Sequence, residues 1–373
     1  MYKVTSKLKI VAFALMIFGA LFTGIGFFAV PGSEAEVKEM LALEASTHGG
    51  GHGENYNDAH TVENDHTETD HSSDHGVNHD DEHAEHVYHQ LQNRPWSAVY
   101  VAAFFFFMIG LGALVFLALQ KVAQAGWSPV LFRVMEGVGS YILPGGIIVF
   151  ILLLLSGLHV NHLFVWMEVG IDVVGHENYD ELVAGKTGYL NVPFWLFRAG
   201  AFIVGWNIYR WNIRKFGLKQ DEAKDGDIAW YKKGFKHSAM FLVFFIVTES
   251  IMSWDWIMSV DPHWFSTLFG WYVFASMFVS GITTIALVTI FLKSKGYLEF
   301  VTDSPVHDLA KFMFGISIFW TYLWFSQFML IWYSNIPEEV TYFVTRIEDY
   351  NLPFFGMLAM NFIFPLLLLM NSD

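Results

Sequence analysis

The sequence predicts an all-α polytopic membrane protein, a transmembrane helical bundle, and three observations carry that prediction. The 373-residue chain is 54% hydrophobic and 18% aromatic but only 15% charged, the balance of a protein whose main solvent is lipid. Apolar stretches of about 20 residues, the length that crosses a hydrocarbon core as a helix, recur along it. Basic residues gather in alternate connections between those stretches, as expected of loops retained in the cytoplasm.

Eight spans are predicted, at roughly 9–30, 97–120, 138–160, 191–211, 237–259, 268–292, 308–333 and 352–371. Such segments form helices because lipid offers no partner for backbone N–H and C=O groups. Lys3, Lys7 and Lys9 precede the first span. Its apolar run from Ile10 to Val30 exceeds a signal-peptide core and lacks a small-x-small cleavage site, so it reads as an anchor. Lys121 and Arg133 lie between the second and third spans, Arg210 to Lys236 fill the connection between the fourth and fifth, and Lys293 and Lys295 follow the sixth. With alternating spans these connections share one side, and the acidic stretches Glu34 to Glu85, Glu168 to Glu181, Asp261 and Glu338 to Asp349 share the other. The N-terminus is thereby placed inside. The chain stops just after Leu366–Met370 with no basic flank, and further sequence beyond it is expected.

The predicted organisation is an N-terminal transmembrane helix over 1–32, an acidic, disordered outer loop over 33–94 and a helical bundle over 95–373. Between Ser33 and Gln90 stand fifteen Asp/Glu against Lys38 alone, so nearly all of the net charge of −15 is local. No basic patch suggests nucleic acid. Cysteine is absent, which excludes disulfides, thiolate metal sites and iron–sulfur ligation by this chain.

Ten of the sixteen histidines lie between His48 and His89. His71, His75, His79 and His83 recur every four residues, with His86 three further on. On a helix they would form one face suited to zinc or copper. Interspersed Gly, Asn, Asp, Thr and Ser favour a solvated low-complexity insert instead. A third reading is that the charge attracts a basic electron carrier, raising its on-rate.

Polar groups at membrane depth are functional candidates. The densest group is Glu249, Asp255, Asp261 and His263 in TESIMSWDWIMSVDPHWFST, bracketed by Trp254, Trp256 and Trp264. Two readings stand side by side. The ladder would pass protons or hydrogen-bond a quinone ring, or its carboxylates would satisfy buried groups and pair with Arg198 of the fourth span. His307 and Asp308 open the seventh span, where Asp308 also suits a helix N-terminus. Thr321, Tyr322, Ser326 and Gln327 are spaced to share a polar stripe that faces protein. No two histidines sit at matched central depth, so an intrinsic bis-histidine haem is not expected.

The stretches SWDWIMSVDPHWFSTLFGWYVFASMF (253–278) and HDLAKFMFGISIFWTYLWFSQFMLIWYSNIPEE (307–339) resemble signature segments of the NrfD-like membrane subunits of alternative complex III, a quinol:cytochrome c oxidoreductase, and specifically the ActF type. The resemblance runs from about residue 97 to the end and extends to the polysulfide reductase membrane subunit. It implies paired four-helix bundles with ten spans in a bacterial inner membrane; the histidine-rich insert is not a general feature of the family, and the charge bias of the loops places it in the periplasm. No intrinsic cofactor is implied beyond a quinone or menaquinone; haem c and iron–sulfur clusters belong to partner subunits. Those partners are a paralogous NrfD-like subunit, an iron–sulfur subunit, multi-haem and mono-haem cytochromes c and a terminal cytochrome oxidase. Glu249 aside, Asp255, Asp261, His263, His307, Asp308 and Gln327 fall in the matching segments, as candidates for a quinone site or proton path. Two other classes remain on the residues alone: a divalent-metal secondary transporter with a histidine antenna, and a structural membrane anchor.

Overall fold

The computed structural model describes residues 6–47, 75–176 and 178–370, and among them every regular element is helical. Two compact units divide the chain, Met1–Val99 with Asn161–Leu163, and Tyr100–Val160 with Phe164–Asp373.

The first unit contains α1 (Ser6–Phe28), α2 (Glu34–Thr47) and the start of α3 (His75–Val122). α1 is apolar on every face and buries no residue, the pattern of a helix whose circumference meets lipid. Near its end Phe27 packs edge-on against Trp96, with centroids 4.8 Å apart. The span 33–94 is partly helical rather than loop. Glu34–Thr47 is rich in Ala, Glu, Leu and Met, the strongest helix formers. Val37 anchors it at 1% exposure, and the Glu36 carboxylate accepts a hydrogen bond from Gly32 N at 2.9 Å. α3 begins at His75 and runs 48 residues through Pro95.

The second unit holds the rest of α3 and α4 (Phe132–Gly139), α5 (Ile142–Gly157), α6 (Glu181–Ala184), α7 (Val192–Asp221), α8 (Ala229–Trp256), α9 (Phe269–Ser294), α10 (Asp303–Ser334), α11 (Pro337–Glu348), α12 (Asn351–Leu358) and α13 (Phe364–Leu369). A π-helical turn, Ala359–Ile363, joins the last two into one apolar rod. α7 packs against α5 and α8, and α9 against α4, α8 and α10. α3 and α9 approach backbone to backbone. A Cβ on Gly112 would stand 2.5 Å from Met277 O, and one on Gly281 would stand 2.8 Å from Ala113 N. Small residues permit such contact, which substitutes in lipid for hydrophobic attraction.

Seven helices among the described residues are long and apolar enough to cross a membrane, against eight expected. The exception is α7. Its 30 residues reach about 45 Å at 1.5 Å each, but Arg198, Asn207 and Arg210 lower its hydropathy. Arg198 is buried and Asn207 and Arg210 are half-buried. At its far end, Arg133 bonds both Glu136 of α4 and Asp221 of α7. This ionic tie fixes the lysine-rich end of the bundle.

Candidate functional site

The opposite end of the second unit, around Asp261, concentrates polar groups and open space. Its scaffold is the end of α8. The last carbonyls of any helix lack intrahelical partners, and at membrane depth they need donors. Trp195 Nε1 and Ser259 Oγ donate to Asp255 O at 2.8 and 2.6 Å, and Tyr100 Oη donates to Trp256 O at 2.7 Å. Three side chains from three other elements thus lock one turn.

The Asp255 carboxylate, 0% exposed, is held by Arg198 of α7: Nε donates to Oδ2 at 2.6 Å and Nη2 to Oδ1 at 3.0 Å. Arg198 also donates from Nη1 to Tyr189 O at 3.2 Å. Its guanidinium lies 4.0 Å from the Tyr189 ring centroid and 4.3 Å from that of Phe194, a cation–π arrangement. Of the two readings open for Asp255, the geometry realises the pair with Arg198. Burial, followed by the nearby Asp255 charge, pushes the Tyr189 phenol well above its ordinary range. Glu249 differs from Asp255. It is 3% exposed, and its Oε1 accepts no hydrogen bond from the described residues.

Beyond α8, a 3₁₀ turn leads to Asp261, Pro262, His263 and Trp264. His263 Nε2 and Asp180 Oδ2 are 2.6 Å apart. Asp180 also caps α6, accepting from Leu182 N at 2.8 Å and Val183 N at 3.0 Å. Burial acts to raise its carboxyl, but the Val183 amide, the His263 imidazole and the Leu182 amide together hold it below the ordinary carboxylate range. Lys186 Nζ donates to Pro262 O at 2.6 Å, and burial pulls its ammonium below the ordinary range despite Asp180 and Asp261.

Two cavities flank this turn. The first, about 470 Å³, is lined by Tyr272, Trp324, Gln327, Tyr342 and Arg346 among others. Gln327 is 4% exposed, and its Nε2 donates to no described residue. Arg346 lies 3.3 Å over the Tyr342 ring and donates from Nη1 to Tyr342 O at 2.6 Å. Burial, against the pull of Arg346, raises the Tyr342 phenol. The second cavity, about 500 Å³, is lined by Lys186, Tyr189, Trp254, Asp261 and Trp264 among others. Trp264 stacks on Tyr342 at 4.0 Å and 11°. The pair connects a wall of one cavity with a wall of the other.

The structure therefore brings Asp261 and Gln327 to neighbouring cavities and gives His263 a carboxylate partner. His307 is exposed and Asp308 pairs with Lys311 at 3.1 Å. They sit 20 and 19 residues before Gln327, about 30 Å along α10, away from the turn. The polar stripe of α10 is narrower than expected. Trp320, Leu323, Gln327 and Ile331 lie on its buried face, while Tyr322, on the far side of the helix, is 63% exposed. His71 lies outside the described residues, and for His75, His79, His83 and His86 only the backbone path along α3 is described.

Sequence reasoning missed Asp180, Lys186, Tyr189, Tyr272 and Arg346. One signal was present: Lys186 and Arg346 are isolated bases within acidic connections, contrary to the charge bias of their side. Compared with known proteins, the chain matches no protein-family model and no curated sequence.

Proposed function

We propose that the chain is an integral membrane subunit of a respiratory quinol:cytochrome c oxidoreductase of the alternative complex III type, and that the Gln327 cavity takes the quinol ring. One observation carries the reading: Gln327, whose buried amide nitrogen has no acceptor among the described residues, lines an aromatic cavity at the end of a helix bundle. Pockets for apolar ligands combine such walls with a few directed polar groups. Gln327 Nε2 would donate to a ring oxygen, and Arg346 would bias the same pocket toward the electron-rich form.

In this reading α7 is the eighth span. Its length supports that, as does neutralisation of Arg198 by Asp255, since an unpaired charge at such depth would be expelled. Eight spans put the lysine-rich end in the cytoplasm and the Asp261 end in the periplasm of a bacterial inner membrane. Quinol oxidation releases two electrons and two protons. The electrons pass to iron–sulfur and c-haem centres of partner subunits. Asp261 and the His263–Asp180 pair take the protons on the outer side, and Glu249 is the group from which a path inward would continue. Asp255 acts as a positioning residue through Arg198.

Photolabelling of the isolated complex with an azido-quinone tests the cavity. Label is expected on peptides carrying Gln327 or Arg346 and is displaced by excess quinone. Label confined to other subunits would overturn the assignment.

A further inference from the structure

The histidine repeat and the connection after α5 meet in the first unit. Because α3 is helical from His75, the backbone positions His75, His79, His83, His86 and His89, spaced by three or four, fall on one side of the helix. At the end of that row the His89 ring meets the His162 ring edge-on, with centroids 5.8 Å apart and planes at 66°. Asn93, one turn after His89, clamps the loop that presents His162. Its Nδ2 donates to His162 O at 3.0 Å, and His162 N donates to its Oδ1 at 2.9 Å. Both imidazoles are exposed, so burial of apolar surface does not account for their approach.

The spacing suits a metal. Two imidazoles on one tetrahedral ion, with metal–nitrogen bonds of about 2.0–2.1 Å, place their centroids on the order of 5 Å apart, near the 5.8 Å between His89 and His162. Imidazole ligands select zinc or copper over magnesium or calcium. We propose that His89 and His162 are two ligands of a site for Zn²⁺ or Cu²⁺. Among the described residues no three metal-ligating side chains converge. The site would tie His162 to the turn of α3 that carries His89, and it stands independently of the quinol reading.

The test is a Zn²⁺ titration of the full chain in detergent against a chromophoric chelator, with Cu²⁺ followed by electron paramagnetic resonance. One site stronger than the background of the histidine tract is expected. His89→Ala and His162→Ala should each weaken it by about tenfold or more, at least the loss that removing an outer-shell partner causes, and the double variant should be no weaker than either. His162→Ala should also remove one nitrogen coupling from the copper spectrum, while joint substitution of His71, His75 and His79 by Ala leaves the site intact. Survival of the strong site in both single variants, or its loss only in the triple variant, would overturn the proposal.

Discussion

Arg198 on α7 and Asp255 on α8 face each other through two near-parallel hydrogen bonds, with side chains 8% and 0% exposed. Fork-on-carboxylate geometry is the strongest form of such a pair. It joins the two helices at the level where Trp195 caps the α8 terminus.

Breaking this pair leaves a charge stranded, whereas replacing both partners does not. Asp255→Asn or Arg198→Ala is expected to cost about 3–5 kcal/mol, measured by thermal or denaturant unfolding in detergent. A double replacement by Leu and Met should recover most of it. A stable Asp255→Asn chain that loses only turnover would identify Asp255 as a proton carrier instead.

The α3–α9 crossing gives a second expectation. A side chain at Gly281 meets backbone atoms of Gly112 and Ala113 at 2.8 Å, so Gly281→Val should destabilise by about 1–3 kcal/mol, as overpacking does. Gly315, in α10, has nothing within 4 Å of an added Cβ. Gly315→Ala should be neutral or stabilising by up to about 1 kcal/mol, the helix-propensity difference. Equal effects at both positions would refute the close crossing.

Asp180 predicts an acid-side effect. Its carboxyl is held below the ordinary range in the folded state. Its contribution is therefore complete above the unfolded value of about 3.9 and is lost as pH falls through the lower folded value. Asp180→Asn keeps an acceptor for the α6 cap but carries no charge, so its stability should depend less on pH below about 4. Asp180→Ala also loses the cap and should cost about 1 kcal/mol at neutral pH. Unfolding curves across the acid range compare the two.

The Gln327 cavity predicts a binding effect. Gln327→Leu removes one neutral hydrogen bond, worth about 0.5–1.5 kcal/mol, so a quinone analogue should bind roughly two- to twelvefold more weakly in a fluorescence-quenching titration. Asp308→Asn, at the far end of α10, should leave binding unchanged. Equal weakening by both would point to a general loss of fold.

Much of this architecture is legible in the sequence, because lipid leaves the chain few choices. Runs such as Ile10 to Val30 and Phe269 to Leu292 can only be helices. α7 is harder to read, since Arg198 and Asn207 count against a span until their inward orientation is known. Asp255 could be matched with Arg198 from the inventory of buried charges, but not with Trp195 or Tyr189. Those contacts depend on how α7 enters the bundle, which no periodicity encodes. Tyr272, Arg346 and Gln327 come from three helices, and only packing brings them to one cavity. His162 carries no signal of its own, because its relation to His89 arises from the Asn93 clamp.

The most direct test of the account is affinity purification of the tagged chain from native membranes, followed by optical and paramagnetic spectra of the eluate. Stoichiometric co-elution of a multi-haem c-type cytochrome and a large iron–sulfur protein, with quinol-dependent cytochrome c reduction, is the predicted result. Recovery of the chain alone, without haem or iron–sulfur signals under conditions that preserve other respiratory complexes, would contradict it.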